Sequence, residues 1–207
     1  MLRKQTRKHV YHEWRCEIDV QAIITLTVTI TLALLGFFAK YLNDLRLTQR
    51  KERLEHVENQ LRDLYGPLFA ISKASEKAYE SFRSFYRHGI PYWDAPESDP
   101  SRVTTPEEVA AFHLWAKEVF MPLNRQLVQT IVNHSDLLEE SEIPECLLEL
   151  LAHVSAYEGL IKEWDANNFS HHTPLIRYPS VELPKYAFTH YLRLKKVQAE
   201  LQRRKTK

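Results

Sequence analysis

Val20 to Ala39 reads VQAIITLTVTITLALLGFFA, twenty residues without a charge between Asp19 and Lys40. At about 1.5 Å per residue a helix of this length reaches roughly 30 Å, the thickness of a bilayer's hydrocarbon layer. Core helices of soluble proteins usually keep a polar stripe, and signal peptides have a shorter apolar region followed by a small-x-small cleavage site, which is missing here. The run therefore predicts one N-terminal transmembrane helix, residues 20–41. It divides the chain into a polar N-terminal segment, 1–19, and a soluble domain, 42–207.

At about 100° per residue, Gln21, Ala22, Thr25, Thr29, Ala33 and Gly36 fall on one side of this helix, with Lys40 beyond them. Small residues four apart let backbones approach, and threonine hydroxyls can bond across helices. The stripe reads as an association face. Two other readings stand beside it: hydroxyls bonded back to their own helix with the face meeting lipid, or a ring of helices turning the stripe toward a water-filled pore.

Beyond the span, Leu47, Leu54, Val57, Leu61, Leu64 and Leu68 keep a 3–4 spacing among mostly charged residues, with Arg50 replacing one apolar position. This is the seam of a juxtamembrane helix, packing either on the chain's own bundle or on a second chain. Gly66-Pro67 should interrupt it, because proline removes a backbone donor and crowds the preceding turn. A second run, Leu68, Ile71, Ala74, Ala78, Phe82 and Phe85, extends to His88-Gly89. A loop with Pro91, Pro96 and Pro100 follows. Thr105-Pro106-Glu107-Glu108 then has the hydroxyl, proline and third-position glutamate of a helix start, leading to a helix that kinks at Pro122 and ends near Asn133-His134. Another starts at Ser141 to Pro144 and buries Leu147, Leu150, Leu151, Val154, Tyr157 and Ile161. A last one runs from Pro184 with Tyr191, Leu194, Val197 and Leu201 on one face. No strand alternation occurs, so the fold class is all-α: the transmembrane helix and a soluble bundle of four or five long helices.

Composition narrows the function. Lys plus Arg number 28 against 27 Asp plus Glu, a net charge of +1, so no global field argues for nucleic acid or an anionic surface. With 4 glycines spread along the chain there is no phosphate-cradling loop, and no cofactor motif is present. Cys16 and Cys146 lie on opposite sides of the span and cannot pair within one chain. This favours a reducing cytoplasm for the soluble domain of a single-pass cell-membrane protein, since the basic residues flanking the span are nearly balanced.

Candidate chemistry is sparse. His134, Asp136, His153, His171 and His172 supply metal-ligand types at spacings that match no zinc module, and read as solvated loop histidines rather than a metal site. Glu139, Glu140, Glu142 and Glu145 sit ahead of a helix whose dipole would favour them. Arg83 and His88, in RSFYRH, are the remaining pair. Arginine followed after four to six residues by histidine resembles the metal-independent ribonuclease signature of HEPN domains, with histidine as general acid–base and arginine stabilising phosphorane charge.

Tyr65-Gly66-Pro67-Leu68, Phe120-Met121-Pro122-Leu123-Asn124-Arg125 and Leu151-Ala152-His153-Val154 resemble segments of uncharacterised bacterial single-pass, membrane-anchored helical proteins. In layout the chain is also similar to the HEPN-like membrane accessory proteins of type VI-B CRISPR systems, whose single span precedes a helical domain and whose subunits assemble into a pore. That resemblance implies a self-associating accessory or effector of antiphage defence. Two alternatives stay open: a membrane-tethered HEPN-type RNase using Arg83 and His88, and a scaffold docking a cytoplasmic protein partner. The sequence thus leans toward a homo-oligomeric membrane protein rather than an enzyme, with nucleic-acid binding undecided.

Overall fold

The computed structural model describes residues 20–86 and 105–203, and 85% of these are helical with no strand among them. The helices are α1 (Val20–Asn59), α2 (Gly66–Tyr86), α3 (Pro106–Trp115), α4 (Met121–Asn133), α5 (Glu145–Asp165) and α6 (Glu182–Arg203). A π-helical turn, Gln60–Tyr65, joins α1 to α2, and another, Ala116–Phe120, joins α3 to α4. The described residues thus form four continuous helices, the first 67 residues long. The chain divides into two units, Met1–Gln49 and Arg50–Lys207.

In the first unit, α1 carries an apolar window long enough to cross a membrane. Val20 through Tyr41 are exposed without exception.

The second unit holds the core. Leu64, Tyr65, Leu68, Phe82, Met121, Leu127, Leu147, Leu150 and Leu183 are fully buried, and each such large side chain contributes about 1.5–3 kcal/mol by leaving water. Phe82 is the centre of an aromatic cluster: Phe112, Trp115, Phe120 and Tyr86 all lie within 6.1 Å of it, ring centre to ring centre. These contacts set α3 and α4 antiparallel to α2. The Arg125 guanidinium clamps Glu158 with two bonds, 2.6 and 3.0 Å, between α4 and α5. Helix α6 runs antiparallel to residues 50–69: Tyr186 and His190 meet Tyr65, Gln198 and Gln202 meet Glu58, and Leu201 meets Arg50. Sixteen residues without helix, 166–181, return along α5 as a strap to the start of α6.

Local chemistry explains the ends. Thr105 Oγ1 accepts from the Glu108 N–H at 3.2 Å, and Glu108 Oε2 accepts from the Thr105 N–H at 2.9 Å, the reciprocal cap that the TPEE sequence predicts. The expected interruption at Gly66-Pro67 and the expected kink at Pro122 are both wide turns inside continuous helices. Gly66 N–H bonds Leu61 O, and Met121 N–H bonds Ala116 O, five residues back in each case. Each π turn ends at an aromatic residue two positions before the proline, Tyr65 before Pro67 and Phe120 before Pro122. The proline ring crowds the carbonyl four residues back, and the widened turn relieves that crowding without ending the helix.

The widened turn also moves the buried face. Val57 and Leu64 are buried and Leu61 partly so, while Leu54 is half-buried and Leu47, in the first unit, is exposed. Beyond the turn the buried set is Leu68, Ser72, Ser75 and Phe82; of the expected run, Leu68 and Phe82 are buried, Ile71 and Ala78 are half-buried, Ala74 is exposed, and Phe85 is 77% exposed. Two small hydroxyl residues occupy the inner face, and Ser72 Oγ returns its hydrogen bond to Phe69 O at 3.0 Å.

Candidate functional site

Three regions carry chemistry. On α1, Thr25 and Thr29 donate their hydroxyls at 2.8 Å to Gln21 O and Thr25 O, four residues back. Thr27 and Thr31 make the same bonds to Ile23 O and Thr27 O on the opposite side of the helix. All four hydroxyls are satisfied within the helix itself. The sequence reading took up only one of these ladders, because it followed a single helical face. At Gly36 an added Cβ would meet nothing within 4 Å. Among the described residues its small size serves no contact. Gln21, Ala22 and Ala33 are likewise exposed.

Arg83 stands near the end of α2, half-buried, with its guanidinium 5.8 Å from the centre of the Tyr79 ring. It forms part of the aromatic packing around Phe82, a structural use of the charge that the RSFYRH pattern does not reveal. His88, the loop with Pro91, Pro96 and Pro100, and residues 1–19 lie outside the described residues.

The densest polar cluster ties the first π turn to α6 and to the 138–144 connection. Glu139 N–H donates to Tyr65 Oη at 3.2 Å; Tyr65 and Tyr186 hydroxyls are 3.3 Å apart; Tyr186 O–H donates to Glu140 at 3.0 Å. Because a carboxylate can only accept, the order is fixed: Glu139 amide to Tyr65, Tyr65 to Tyr186, Tyr186 to Glu140. Burial pushes the Tyr65 phenol up to about 12, and burial with the Tyr65 and Glu140 contacts pushes Tyr186 up as well. Both phenols therefore stay protonated. His190 stacks on Tyr65, with ring centres 5.1 Å apart, and donates through Nδ1 to Glu139 at 2.8 Å while Nε2 lies 3.4 Å from Glu140. Arg193 pairs with Glu139. Glu139 and Glu140 are thus partners of α6, not the helix-dipole carboxylates that their position suggests; Glu145, first residue of α5, keeps that role.

His153 departs from the expected solvated loop histidine. It is 6% exposed on the inner face of α5 and donates through Nδ1 to Ile176 O at 2.7 Å, and burial lowers its pKa. His172 pairs with His113 at 3.0 Å between their ring nitrogens. Among the described residues no cluster of three His, Cys, Asp or Glu side chains forms a metal-binding group. A cleft of about 410 Å³ opens between the starts of α5 and α6, lined by Glu145, Cys146, Glu149, Arg177, Tyr178 and Glu182 among others. Burial first, then Glu149 and Glu182, pushes the Cys146 thiol up, so it stays protonated and is a poor nucleophile.

The three segments behind the family resemblance all have structural uses. Gly66 allows the close turn, Arg125 clamps α5, and His153 holds the strap. Comparison with protein-family models, with curated proteins and with solved structures finds no match to this chain.

Proposed function

We propose that this is a single-pass membrane protein that self-associates through the apolar part of α1 and carries residues 50–203 as a cytoplasmic helical body. The observation supporting this most is the complete exposure of Val20 to Tyr41, which leaves an apolar surface that only lipid or another copy can cover. Satisfied threonine hydroxyls and the open Gly36 position agree with close helix packing in hydrocarbon. The seam residues Val57, Leu61 and Leu64 serve the chain's own bundle, so association falls to the stripe Gln21, Ala22, Thr25, Thr29, Ala33 and Gly36.

The role we assign is accessory or effector in bacterial antiphage defence, in which assembly of the spans opens a pore. It rests on the layout of one span followed by a helical domain. Insertion is tested by alkaline extraction of membranes together with reporters at each end. Protein retained in the pellet, with the C-terminal reporter active inside, supports the anchored topology; protein released by carbonate rules it out. The effector role is tested by ion flux in vesicles with the wild type and with Gly36→Leu: flux that the variant retains removes the pore.

A further inference from the structure

The strap, residues 166–181, has no helix or strand of its own, so the contacts it makes determine its place. Its second half is held by His153 Nδ1–H on Ile176 O and by Tyr178 packed edge-on against the His153 ring, 5.5 Å centre to centre. Residues 166–168 stay on the end of α5 through their own backbone bonds, Asn167 N–H to Trp164 O at 3.0 Å and Asn168 N–H to Glu163 O at 2.9 Å, and the residues after them are held differently. Trp164 Nε1–H donates to His171 O at 2.8 Å, and His172 Nδ1 meets His113 Nε2 at 3.0 Å. The His113 ring is enclosed by the Trp164 ring on one side, 4.0 Å centre to centre, and stacks with Phe169 from the strap at 5.3 Å.

We infer that the His113–His172 pair is an acid-opened latch that holds residues 169–173 against the face formed by α3 and the end of α5. Two neutral imidazoles fit this geometry, one donating its N–H to the lone pair of the other. One added proton still leaves a donor and an acceptor. A second leaves two cations face to face with no acceptor between them, and the contact must open.

The surrounding charges work mostly in the same direction. From the helix side, the Lys117 ammonium acts on His113 and is itself paired to Asp165 at the end of α5. From the strap, His171 stands next to His172 and acts on it. The Trp164 and Phe169 faces favour an imidazolium. Burial, the second imidazole and Lys117 outweigh them: burial first, then His172 and Lys117, pushes His113 down to about 4, and burial with His171 lowers His172. The pair therefore stays closed at neutral pH and opens below the ordinary histidine range. Opening uncovers the Trp164 indole and the His113 ring, while the His153 attachment keeps the second half of the strap in place, because a doubly protonated imidazole still donates through Nδ1.

The test is hydrogen exchange of the full chain in detergent at pH 7.0 and 4.5, with rates corrected for the intrinsic effect of pH. The latch predicts that amides of 169–173 lose at least tenfold of their protection at pH 4.5 while amides of 166–168, α2 and α4 keep theirs. His172→Gln, which bonds but cannot take a proton, should make the segment's protection the same at both values. His171→Gln should leave the drop in place. Unchanged protection of 169–173 in the wild type would overturn the latch. So would its loss together with α2 and α4, or a drop that survives His172→Gln.

Discussion

Replacing Gly66 with alanine should destabilise the protein, although the same change in an ordinary helix stabilises. In a helix interior alanine is favoured over glycine by about 0.8–1 kcal/mol. Gly159, on the exposed side of α5, is such a position: a Cβ built there meets nothing within 4 Å. At Gly66 a Cβ falls well inside contact distance of the Leu61 carbonyl oxygen, with the Leu61 carbonyl carbon at 3.5 Å. That oxygen is also the acceptor of the Gly66 N–H, so the side chain cannot be admitted while the bond is kept. Two outcomes are open to the chain. Pushing the carbonyl away forfeits the bond, about 1 kcal/mol, and adds the strain of overpacking a closed site, about 1–3 kcal/mol. Closing the wide turn to an α turn would rotate all of α2 by about 100° relative to α1 and pull Leu68 and Phe82 off the core. The first is the smaller loss, giving a net cost of about 1–3 kcal/mol after the propensity gain. For a chain of this size that corresponds to roughly 2–12 °C in midpoint. Thermal unfolding followed by circular dichroism in detergent should show Gly66→Ala below the wild type and Gly159→Ala above it by about 1–4 °C. Two shifts of the same sign would refute the π-turn reasoning.

Other substitutions divide the juxtamembrane helix. Leu64→Ala should cost about 2–5 kcal/mol, because Leu64 is fully buried, whereas Leu47→Ala, 44% exposed, should leave the unfolding midpoint within about 1 °C. Arg50 bonds the Leu201 carbonyl near the end of α6 through Nε at 3.1 Å and through its terminal nitrogen. Arg50→Met keeps the stem and removes the cap, so it should cost about 1–2 kcal/mol and speed amide exchange over the last turn of α6 first. On acidification, the half-buried neutral His113 takes up its proton in the unfolded chain near pH 6.5 and in the folded one only near 4. The unfolded state then binds more protons between these values, so this contribution to stability is full above pH 6.5 and is lost as the pH falls toward 4. His113→Phe should flatten that part of a urea-midpoint profile against pH; a profile as steep as the wild type's would assign the slope elsewhere.

Much of the fold could be read from the chain because its signals are local. The capping box at Thr105 and the end at Asn133 depend on residues within one turn of each other, and the structure has both. The π turns are different. Proline at 67 reads as a break and proline at 122 as a kink, and only the packing of Tyr65 and Phe120 against other helices makes it worthwhile to carry each helix through a wider turn. That one event explains why Gln60 and Tyr65 are buried where the even 3–4 spacing put solvent, and why Ser72 and Ser75 line the core instead of Ala74 and Phe85. Arg50 breaks the leucine seam because its partner is a helix end rather than another side chain. The polar cluster was illegible for a related reason. Glu139 and His190 are fifty-one residues apart, and nothing in either neighbourhood indicates that α6 folds back onto the π turn. His153 looked like a solvent group because histidine alone does not say whether a carbonyl from a distant strap will take its proton.

The central claim is that α1 joins copies of the chain within the membrane, and the most direct measurement is the protein mass of the full chain in detergent by light scattering after size exclusion, with bound detergent subtracted. The account predicts a discrete multiple of the 24.5 kDa chain for the wild type, falling to 24.5 kDa when Thr25, Thr29 and Gly36 are all replaced by leucine. A wild type at 24.5 kDa, or a multiple that the triple replacement leaves unchanged, would contradict it.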